Sequence, residues 1–358
     1  MDGNQMRWRI SLPAITGPLI ILLLLCLHPI IQTGSNPHLS SRNRTQSSVW
    51  NPTGPYADRV IFHVISGEDD QVTALLQGQI DCLTDNVEEQ YVPDLDQDSN
   101  IQLTQTPHLG FGFMAINCER YPFSIPAFRR ALAFAINKSE IAEIMWGNLG
   151  IPADNPVLPS TGVWHNNQTY PDYTTSNVAA AKAELAAAGF FDLDGDGFVE
   201  APDASAFLFQ PFYIIESPQW RRALSSMQYF WNQSGIPTKP QPLPFGIILD
   251  FVYRIPRNYD AACFCYELSP NPLILEDFMS QYIQHPERNI LNWANATYDY
   301  YIDQMLNLLN YDDVRLAAHT AQQVFVENAP LIALYTNYEV NAYRTNRWEN
   351  FIVIPGWG

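Results

Sequence analysis

The stretch that most limits how this chain can fold is residues 124–147, SIPAFRRALAFAINKSEIAEIMWG. Ser124 supplies a capping hydroxyl, and Pro126 pre-sets φ in the first helical turn. Apolar side chains then recur at the three- and four-residue spacing of one helix face: Phe128, Ala131, Leu132, Ala135 and Ile136. Arg129 and Arg130 fall off that face. The stretch therefore predicts a helix packed on a core, followed after a short break by a second helix.

Strands and helices alternate along the rest of the chain. Apolar runs predict strands at residues 60–65, 80–83, 101–106, 109–116 and 260–266. Apolar residues at helical spacing predict helices at residues 72–77, 140–146, 178–188, 297–309 and 312–328, and one more between Pro218 and Gly235. The first of these strands is apolar on both faces and is expected to be buried. Because the two kinds of element are mixed along the chain, the pattern favours an α/β fold.

Composition and charge narrow the class of protein. The chain has 358 residues, 47% of them hydrophobic, which is enough for two domains or one large bilobal body. Its net charge is −18, and only three of its 19 basic residues are lysines. An acidic surface disfavours nucleic acid as a partner. None of the five cysteines has CxxC or zinc spacing, which favours buried thiols and leaves any pairing open.

The first 35 residues have the features of an export leader. Arg7 and Arg9 precede an apolar run whose densest part, residues 19–27, is short for a spanning helix. Counted over residues 10–27, the run has about 18 residues, which is borderline for an uncleaved anchor. Residues 1–35 are therefore interpreted as a signal peptide or a membrane anchor. Both interpretations place the bulk of the protein outside the cytoplasm, secreted or tethered to the outer face of the cytoplasmic membrane.

Residues 192–200, DLDGDGFVE, form the sharpest local motif. Carboxylates on alternate residues followed by a glycine match the D-x-D-x-D-G pattern of EF-hand-type calcium loops. The predicted metal ligands are Asp192, Asp194, Asp196, Phe198 and Asp203, with Phe198 at the position that offers a backbone carbonyl. The last of them is shorter than the usual bidentate glutamate, and a proline follows where the second EF-hand helix would begin. Two interpretations stay open, a structural Ca²⁺ ion or a plain acidic turn, and no cofactor is required.

Catalytic patterns are missing from the sequence. It contains no G-x-S-x-G nucleophile elbow and no H-E-x-x-H zinc motif. The 37 acidic residues include pairs by chance, so glycosidase-type pairs carry no weight of their own. We therefore expect a protein that is not an enzyme.

The order of residues resembles the family 5 extracellular solute-binding proteins, the peptide- and nickel-binding receptors of ABC importers. The resemblance rests on RRALAFAINK at residues 129–138, on the preceding strand that ends in Asn117, and on the Pro-Phe at residues 122–123. An Ala-rich helix near residues 178–188 and APLIALY at residues 329–335 continue it in consistent order. This resemblance implies a periplasmic-binding-protein-like bilobal fold of type II.

Domain organisation follows from the same resemblance. Family members carry a long N-terminal portion before the segment that matches Gly54-Pro55-Tyr56, and here this segment follows the leader almost directly. The chain is therefore expected to contain lobe II and the C-terminal return segment of lobe I. The expected divisions are a leader at residues 1–35, a linker at 36–55, a lobe II-type α/β domain at 56–270 and a segment returning to lobe I at 271–358.

Ligand-binding residues are also taken from the resemblance. Tyr266 and Glu267 follow a predicted buried strand, where α/β clefts bind ligands. An acidic residue in a similar place pairs with the peptide amine in family members, and Glu267 is its counterpart here; it could equally be a solvated loop acid. Asn117 resembles a cleft-side asparagine, and Trp293 lies where the family has an aromatic residue or glycine. Trp293 could stack on a ligand or pack in the core.

The resulting functional expectation is a substrate-binding protein of an ABC importer that captures peptides or similar small solutes by lobe closure. Its expected partners are an oligopeptide or other small solute and the ABC permease subunits, and the protein itself is expected to be a monomer. Two alternatives remain at this point. One is an extracellular calcium-binding hydrolase, and the other is a membrane-tethered sensory or assembly module without transport.

Overall fold

The computed structural model describes residues 30–32, 59–84, 86–168, 171–349, 351, 352 and 354. The chain divides into two compact units. The first comprises residues 1–87, 93–103 and 341–349, and the second comprises residues 88–92, 104–340 and 350–358. Among the helices so described, none has the length and apolar character needed to cross a bilayer. The predicted leader lies outside the described residues, apart from residues 30–32.

The first unit contains two short paired strands and a helix. Strand β1 (Ile30–Gln32) pairs antiparallel with β2 (Ile61–His63), and helix α1 spans Glu68–Leu76. Helix α2 (Val92–Asp96) begins at the division between the units. Arg344 caps the end of α1 through hydrogen bonds from Nη1 to the carbonyl oxygens of Leu75 and Leu76.

Two strand predictions in this unit are wrong. The predicted buried strand at residues 60–65 shortens to three residues, and Phe62 and Val64 are 55% and 81% exposed. A run that is apolar on both faces predicts burial only if both faces are covered, and the described residues leave these side chains uncovered. Residues 80–83 form a single bridge between Cys82 and Tyr343 in place of the predicted strand.

The described chain contains one seven-stranded mixed sheet. Its strands are β3 (Ile101–Pro107), β4 (Gly110–Ile116), β5 (Gly150–Pro152), β6 (Pro211–Ile214), β7 (Gln241–Leu243), β8 (Ala261–Glu267) and β9 (Leu331–Arg344). The order is β3-β9-β4-β8-β6-β7, with β5 paired to β9. Strand β4 runs antiparallel to both β8 and β9, whereas β6 runs parallel to β7 and β8. The division between the units falls inside β3 and β9.

Helices cover both faces of this sheet in the second unit. The helices are α3 (Pro126–Ala135), α4 (Lys138–Trp146), α5 (Val178–Ala187), α6 (Pro218–Gln233), α7 (Phe245–Tyr253), α8 (Ala296–Asn307) and α9 (Tyr311–Asn328). Alternate residues of β4 enter two separate hydrophobic cores, since Met114 and Ile116 pack with α3–α6 while Phe113 and Ala115 pack with α7–α9. The second unit is therefore an α/β unit with three layers.

Helix α3 confirms the apolar face predicted from its sequence. Phe128, Ala131, Leu132, Ala135 and Ile136 are all fully buried. The prediction for Arg129 is wrong, because this side chain is only 2% exposed. Its guanidinium donates from Nη1 to the Phe123 carbonyl at 2.8 Å and from Nε to the Asn328 carbonyl at 3.0 Å, which compensates for burial. Arg130 alone points outward, toward Glu184 at 2.7 Å.

The predicted boundary after residue 270 falls within the second compact unit, and the assignment of segments to lobes stays a prediction. Residues 271–340 belong to the same unit as residues 104–270. Strand β9 lies beside β4 in the sheet, and α8 and α9 pack on the core that the β4 and β8 side chains enter. The helix pair at the C-terminal end thus completes the second unit.

Candidate functional site

The last residues of strand β8 lie where the buried sheet reaches the surface. The strand is buried from Ala261 to Phe264 and reaches the surface at Glu267, whose side chain is 59% exposed. The antiparallel register places Gly110, the first residue of β4, directly opposite Glu267. The chain then turns into a 3₁₀ segment, Pro272–Phe278, which begins where Asn271 Oδ1 accepts the Leu273 amide at 3.0 Å. This turn creates a concave wall beyond the strand.

A cavity of about 210 Å³ opens at this wall. It is lined by Tyr253, Tyr266, Glu267, Ile274, Asp277, Phe278, Glu287, Arg288, Asn289 and Ile290. Three of these side chains are carboxylates and one is a guanidinium. All of them belong to the second unit.

The single guanidinium of the cavity is already neutralised by neighbouring acids. Arg288 donates from Nε to Asp277 Oδ1 at 2.7 Å and from Nη1 to Glu276 Oε1 at 3.0 Å. Its guanidinium also lies 4.1 Å from the centre of the Tyr282 ring. Burial works against the charge, but the two carboxylates outweigh it and raise the pKa of Arg288. The cavity therefore keeps a surplus of negative charge.

Two tyrosines give the cavity a neutral polar edge. The hydroxyl oxygens of Tyr253 and Tyr266 lie 3.1 Å apart, so one donates to the other. Burial, with the nearby Tyr253 hydroxyl, raises the pKa of Tyr266 well above its usual value. At neutral pH these groups are hydroxyls that can donate or accept a hydrogen bond but add no charge.

The loop at the back of the cavity is held by Arg257. This side chain is 7% exposed and donates to the carbonyls of Val252, Ile283, His285 and Arg288 at distances from 2.7 to 3.0 Å. It also donates to Asn292 Oδ1 at 2.7 Å. Asn292 has a left-handed backbone, with φ of 49°. One buried guanidinium thus fixes the segment that carries Glu287 and Arg288.

Glu267 has a charged partner that the sequence did not predict. His108 Nε2 lies 3.0 Å from Glu267 Oε2, and His108 Nδ1 lies 2.7 Å from Glu339 Oε1. The one related feature of the sequence is the glycine-rich start of β4, Gly110-Phe111-Gly112. Its glycines leave room for neighbours, since a Cβ on Gly110 would meet His108 and Glu267 and one on Gly112 would meet the Tyr335 ring.

The structure brings together only two of the four predicted ligand-binding residues. Tyr266 and Glu267 line the cavity. Asn117 lies just beyond the Ile116↔Ala261 pair, at the opposite end of the β4–β8 ladder and about 23 Å along the strand from Glu267 at 3.3 Å per residue. Its side chain is 1% exposed and accepts a hydrogen bond from Asn292 Nδ2 at 3.0 Å.

Trp293 does not have the exposure that stacking on a ligand needs. It is 4% exposed, and its ring packs against Tyr298 at 4.9 Å and Phe325 at 5.4 Å between centroids. The packing interpretation of Trp293 is the one that the structure supports.

The acidic loop forms a compact group of carboxylates on the surface. Oxygens of Asp192, Asp194 and Glu200 all lie within 4.8 Å of one another. Asp192 also accepts the amides of Gly195 and Gly197 at 2.7 and 3.0 Å, which folds the loop around that side chain. The group differs from the predicted ligand set, because Glu200 takes part.

Two of the predicted ligands make other contacts. Asp203 accepts the amide and the hydroxyl of Ser205 at 3.0 and 2.6 Å, while Asp196 accepts the Phe198 amide at 2.8 Å. Neither of these two residues belongs to the carboxylate group, and Asp203 follows the antiparallel bridge between Phe191 and Glu200 that closes the loop. A Ca²⁺ ion in this loop stays a prediction.

In α/β proteins, ligand sites typically lie in clefts at the ends of central strands, and the negatively charged cavity beyond β8 has this position. A profile of the bacterial extracellular solute-binding proteins, family 5, matches residues 42–263. The chain belongs to this family.

Two individual relatives are consistent with this family, and in each the match covers only part of the relative's length. The chain is 24% identical over 280 residues to heme-binding protein A of Haemophilus influenzae, covering 77% of this chain and 48% of the relative. It is 31% identical over 143 residues to the dipeptide-binding protein of Escherichia coli, covering 40% and 24%. The chain thus spans about half the length of the first relative, or less for the second.

Solved structures show the same fold. The oligopeptide-binding protein AppA of Bacillus subtilis, in complex with a nonapeptide, superposes with a TM-score of 0.63 at 20% identity. The superposition covers 82% of this chain and 57% of that one.

Proposed function

We propose that this protein is an extracytoplasmic substrate-binding protein of an ABC importer, and that it captures peptides through their amino terminus at the cavity beside Glu267. Membership of the extracellular solute-binding family supports the binding role and the location outside the cytoplasm. The dipeptide-binding and oligopeptide-binding relatives support a peptide as the ligand. Delivery to a membrane permease is proposed from the family alone.

The observation that carries the proposal is the unbalanced charge of the cavity. Arg288 is paired to Asp277 and Glu276, and the His108 imidazolium is shared between Glu267 and Glu339. Together with Glu287, five carboxylates thus lie on or beside the wall against two cations, which leaves the wall negative. A cationic group, such as a peptide amine, is the complement of such a wall. The exposed Glu267 carboxylate at the end of β8 is the acceptor that this amine can reach.

The size of the cavity supports capture of one end of a ligand. Its volume of about 210 Å³ lies below the range of roughly 300–1,000 Å³ that holds a whole drug-sized ligand. A peptide would therefore place its amino-terminal residue in the cavity and extend away from it.

Calorimetry with matched peptides tests the proposal. Ala-Ala-Ala should bind the full chain at pH 7, while N-acetyl-Ala-Ala-Ala, which has no cationic amine, should bind far more weakly. Glu267→Gln should lower the affinity for the free-amine peptide roughly tenfold to a hundredfold, since a hydrogen bond to a charged group is lost. Glu216→Gln, at an exposed acid on the segment before α6, should leave the affinity unchanged.

Equal binding of the acetylated peptide would contradict the role of the amine. Peptide capture would be contradicted altogether by two negative results. Calorimetry would show no heat with the free-amine peptide, and native mass spectrometry would show no added mass with pools of di- to pentapeptides. Transport has its own test, because deletion of the gene should lower the uptake of a labelled peptide by intact cells.

A further inference from the structure

The His108 ring is held in place by the backbone around it. The His108 amide donates to the Asn337 carbonyl of β9 at 2.9 Å, and the Leu268 amide, just after β8, donates to the Leu109 carbonyl at 3.0 Å. The turn between β3 and β4 is thus tied to the two strands that carry its acidic neighbours. The position of the imidazole is set by the sheet, and its side chain is 17% exposed.

Both nitrogens of this imidazole face a carboxylate. Nε2 lies 3.0 and 3.2 Å from the two Glu267 oxygens, and Nδ1 lies 2.7 Å from Glu339 Oε1. Nε2 is within hydrogen-bond geometry of Glu267, whereas Nδ1 is at ion-pair distance from Glu339 without the alignment of a hydrogen bond, so it is the positive charge of the imidazolium that attracts both carboxylates. The charged groups that face the ring are Glu267 from β8 and Glu339 from β9, because residues 101–117 contain no Asp, Glu, Lys or Arg.

The charge state of the ring follows from these neighbours. Burial lowers the pKa of His108, but the two carboxylates outweigh burial and raise it from 6.5 to about 9. At pH 7 the ring is therefore an imidazolium between two carboxylates.

Gly110 makes this close approach sterically available. A Cβ at this position would lie 2.7 Å from Glu267 Oε1 and 2.8 Å from His108 Cδ2. Any larger residue would push the two side chains apart. The contact between His108 and Glu267 is therefore built into the backbone of β4.

We propose that His108 is a positioning residue of the ligand site, whose imidazolium, braced by Glu339, holds the Glu267 carboxylate at the cavity and releases it on losing its proton. Glu339 is 21% exposed and Glu267 is 59% exposed, so the less exposed carboxylate holds the ring and the more exposed one faces the cavity. The inference rests on the proposed function in one respect, namely that Glu267 is the residue proposed to meet the ligand's amine.

Side-chain dynamics of the ligand-free protein test the inference directly. In protein labelled with ¹³C-glutamate, the NMR order parameter of the Glu267 Cγ methylene should be high at pH 7 and should fall as the pH rises through about 9. In His108→Gln this step should be absent. His319→Gln, at a histidine whose Nε2 lies 3.0 Å from the Val163 carbonyl, should keep the step.

If His108 had a purely structural role, His108→Gln would change the order parameter of Glu267, but the wild-type order parameter would show no step with pH. The inference is overturned if wild-type Glu267 has the same order at pH 7 and pH 10, or if His108→Gln retains the step. Calorimetry of the wild type with Ala-Ala-Ala separates this result from the proposed function. A pH step without peptide binding overturns peptide capture and supports positioning, whereas peptide binding without the step overturns positioning alone.

Discussion

Gly110 and Glu267 are direct partners across the β4–β8 ladder, and a Cβ on Gly110 would lie 2.7 Å from Oε1 of Glu267. The closeness of these two residues ties the backbone of the central strand to the exposed carboxylate of the cavity. A substitution of Gly110 is therefore expected to displace the Glu267 carboxylate, although Gly110 itself has no side chain that reaches the cavity.

Gly110→Ala is expected to destabilise the protein by about 1–3 kcal/mol, because the added methyl group overpacks the contact between His108 and Glu267. Urea unfolding of the full chain measures this effect. Gly246→Ala is the matched control, since a Cβ on Gly246 meets nothing within 4 Å and the residue lies in α7. It should stabilise the helix by about 0.5–1 kcal/mol. Equal effects of the two variants would contradict the steric argument.

The stability of the protein should fall at alkaline pH because of His108. Its pKa is raised from 6.5 to about 9 in the folded protein, so its ion pairs stabilise the fold fully below pH 6.5. This stabilisation is lost as the pH rises through about 9. Melting temperatures at pH 6, 8 and 10 should therefore decline more steeply in the wild type than in His108→Gln. Parallel declines in the two proteins would show that other groups cause the loss.

Arg257→Met should destabilise the protein by about 3 kcal/mol, since it leaves one buried and three partly buried carbonyl oxygens without their donor. Hydrogen exchange should accelerate in residues 283–292, the loop that Arg257 holds. The control is Arg254→Met, at an arginine whose side chain is 76% exposed, and it should change stability by less than about 0.5 kcal/mol. Unchanged exchange in the loop would show that Arg257 does not organise the cavity wall.

Calcium binding to the acidic loop is tested by the melting temperature. If Asp192, Asp194 and Glu200 hold the ion, millimolar Ca²⁺ should raise the melting temperature of the wild type by mass action, and a chelator should reverse the rise. Asp194→Ala should abolish the rise. Asp250→Asn, at an exposed acid of α7, should leave it unchanged. Equal melting temperatures with calcium and with chelator would identify the loop as a plain acidic turn.

The parts of the fold that follow a single periodicity were predictable. The helix predicted between Pro218 and Gly235 is observed as α6, and it buries one apolar face: Trp220, Ala223, Leu224, Met227 and Trp231. The strand predicted at residues 260–266 is observed as β8, Ala261–Glu267. These predictions succeeded because one buried face leaves a regular pattern in the sequence.

Burial of charge and long-range pairing were not predictable in the same way. Arg129 looked like an outward residue because its acceptors, the carbonyls of Phe123 and Asn328, are backbone atoms with no sequence signature. His108 and Glu267 are 159 residues apart, so their contact depends on the register between β4 and β8. That register also separates Asn117 from Glu267, which a motif comparison treats as neighbours in one site.

The most direct test of the central claim is a crystal structure of the full chain with Ala-Ala-Ala bound. We predict that the peptide's amine nitrogen lies at hydrogen-bond distance, roughly 2.7–2.9 Å, from a Glu267 carboxylate oxygen, inside the cavity bordered by Tyr266 and Arg288. A peptide bound elsewhere, or bound at this cavity with its carboxylate and not its amine toward Glu267, would contradict the claim.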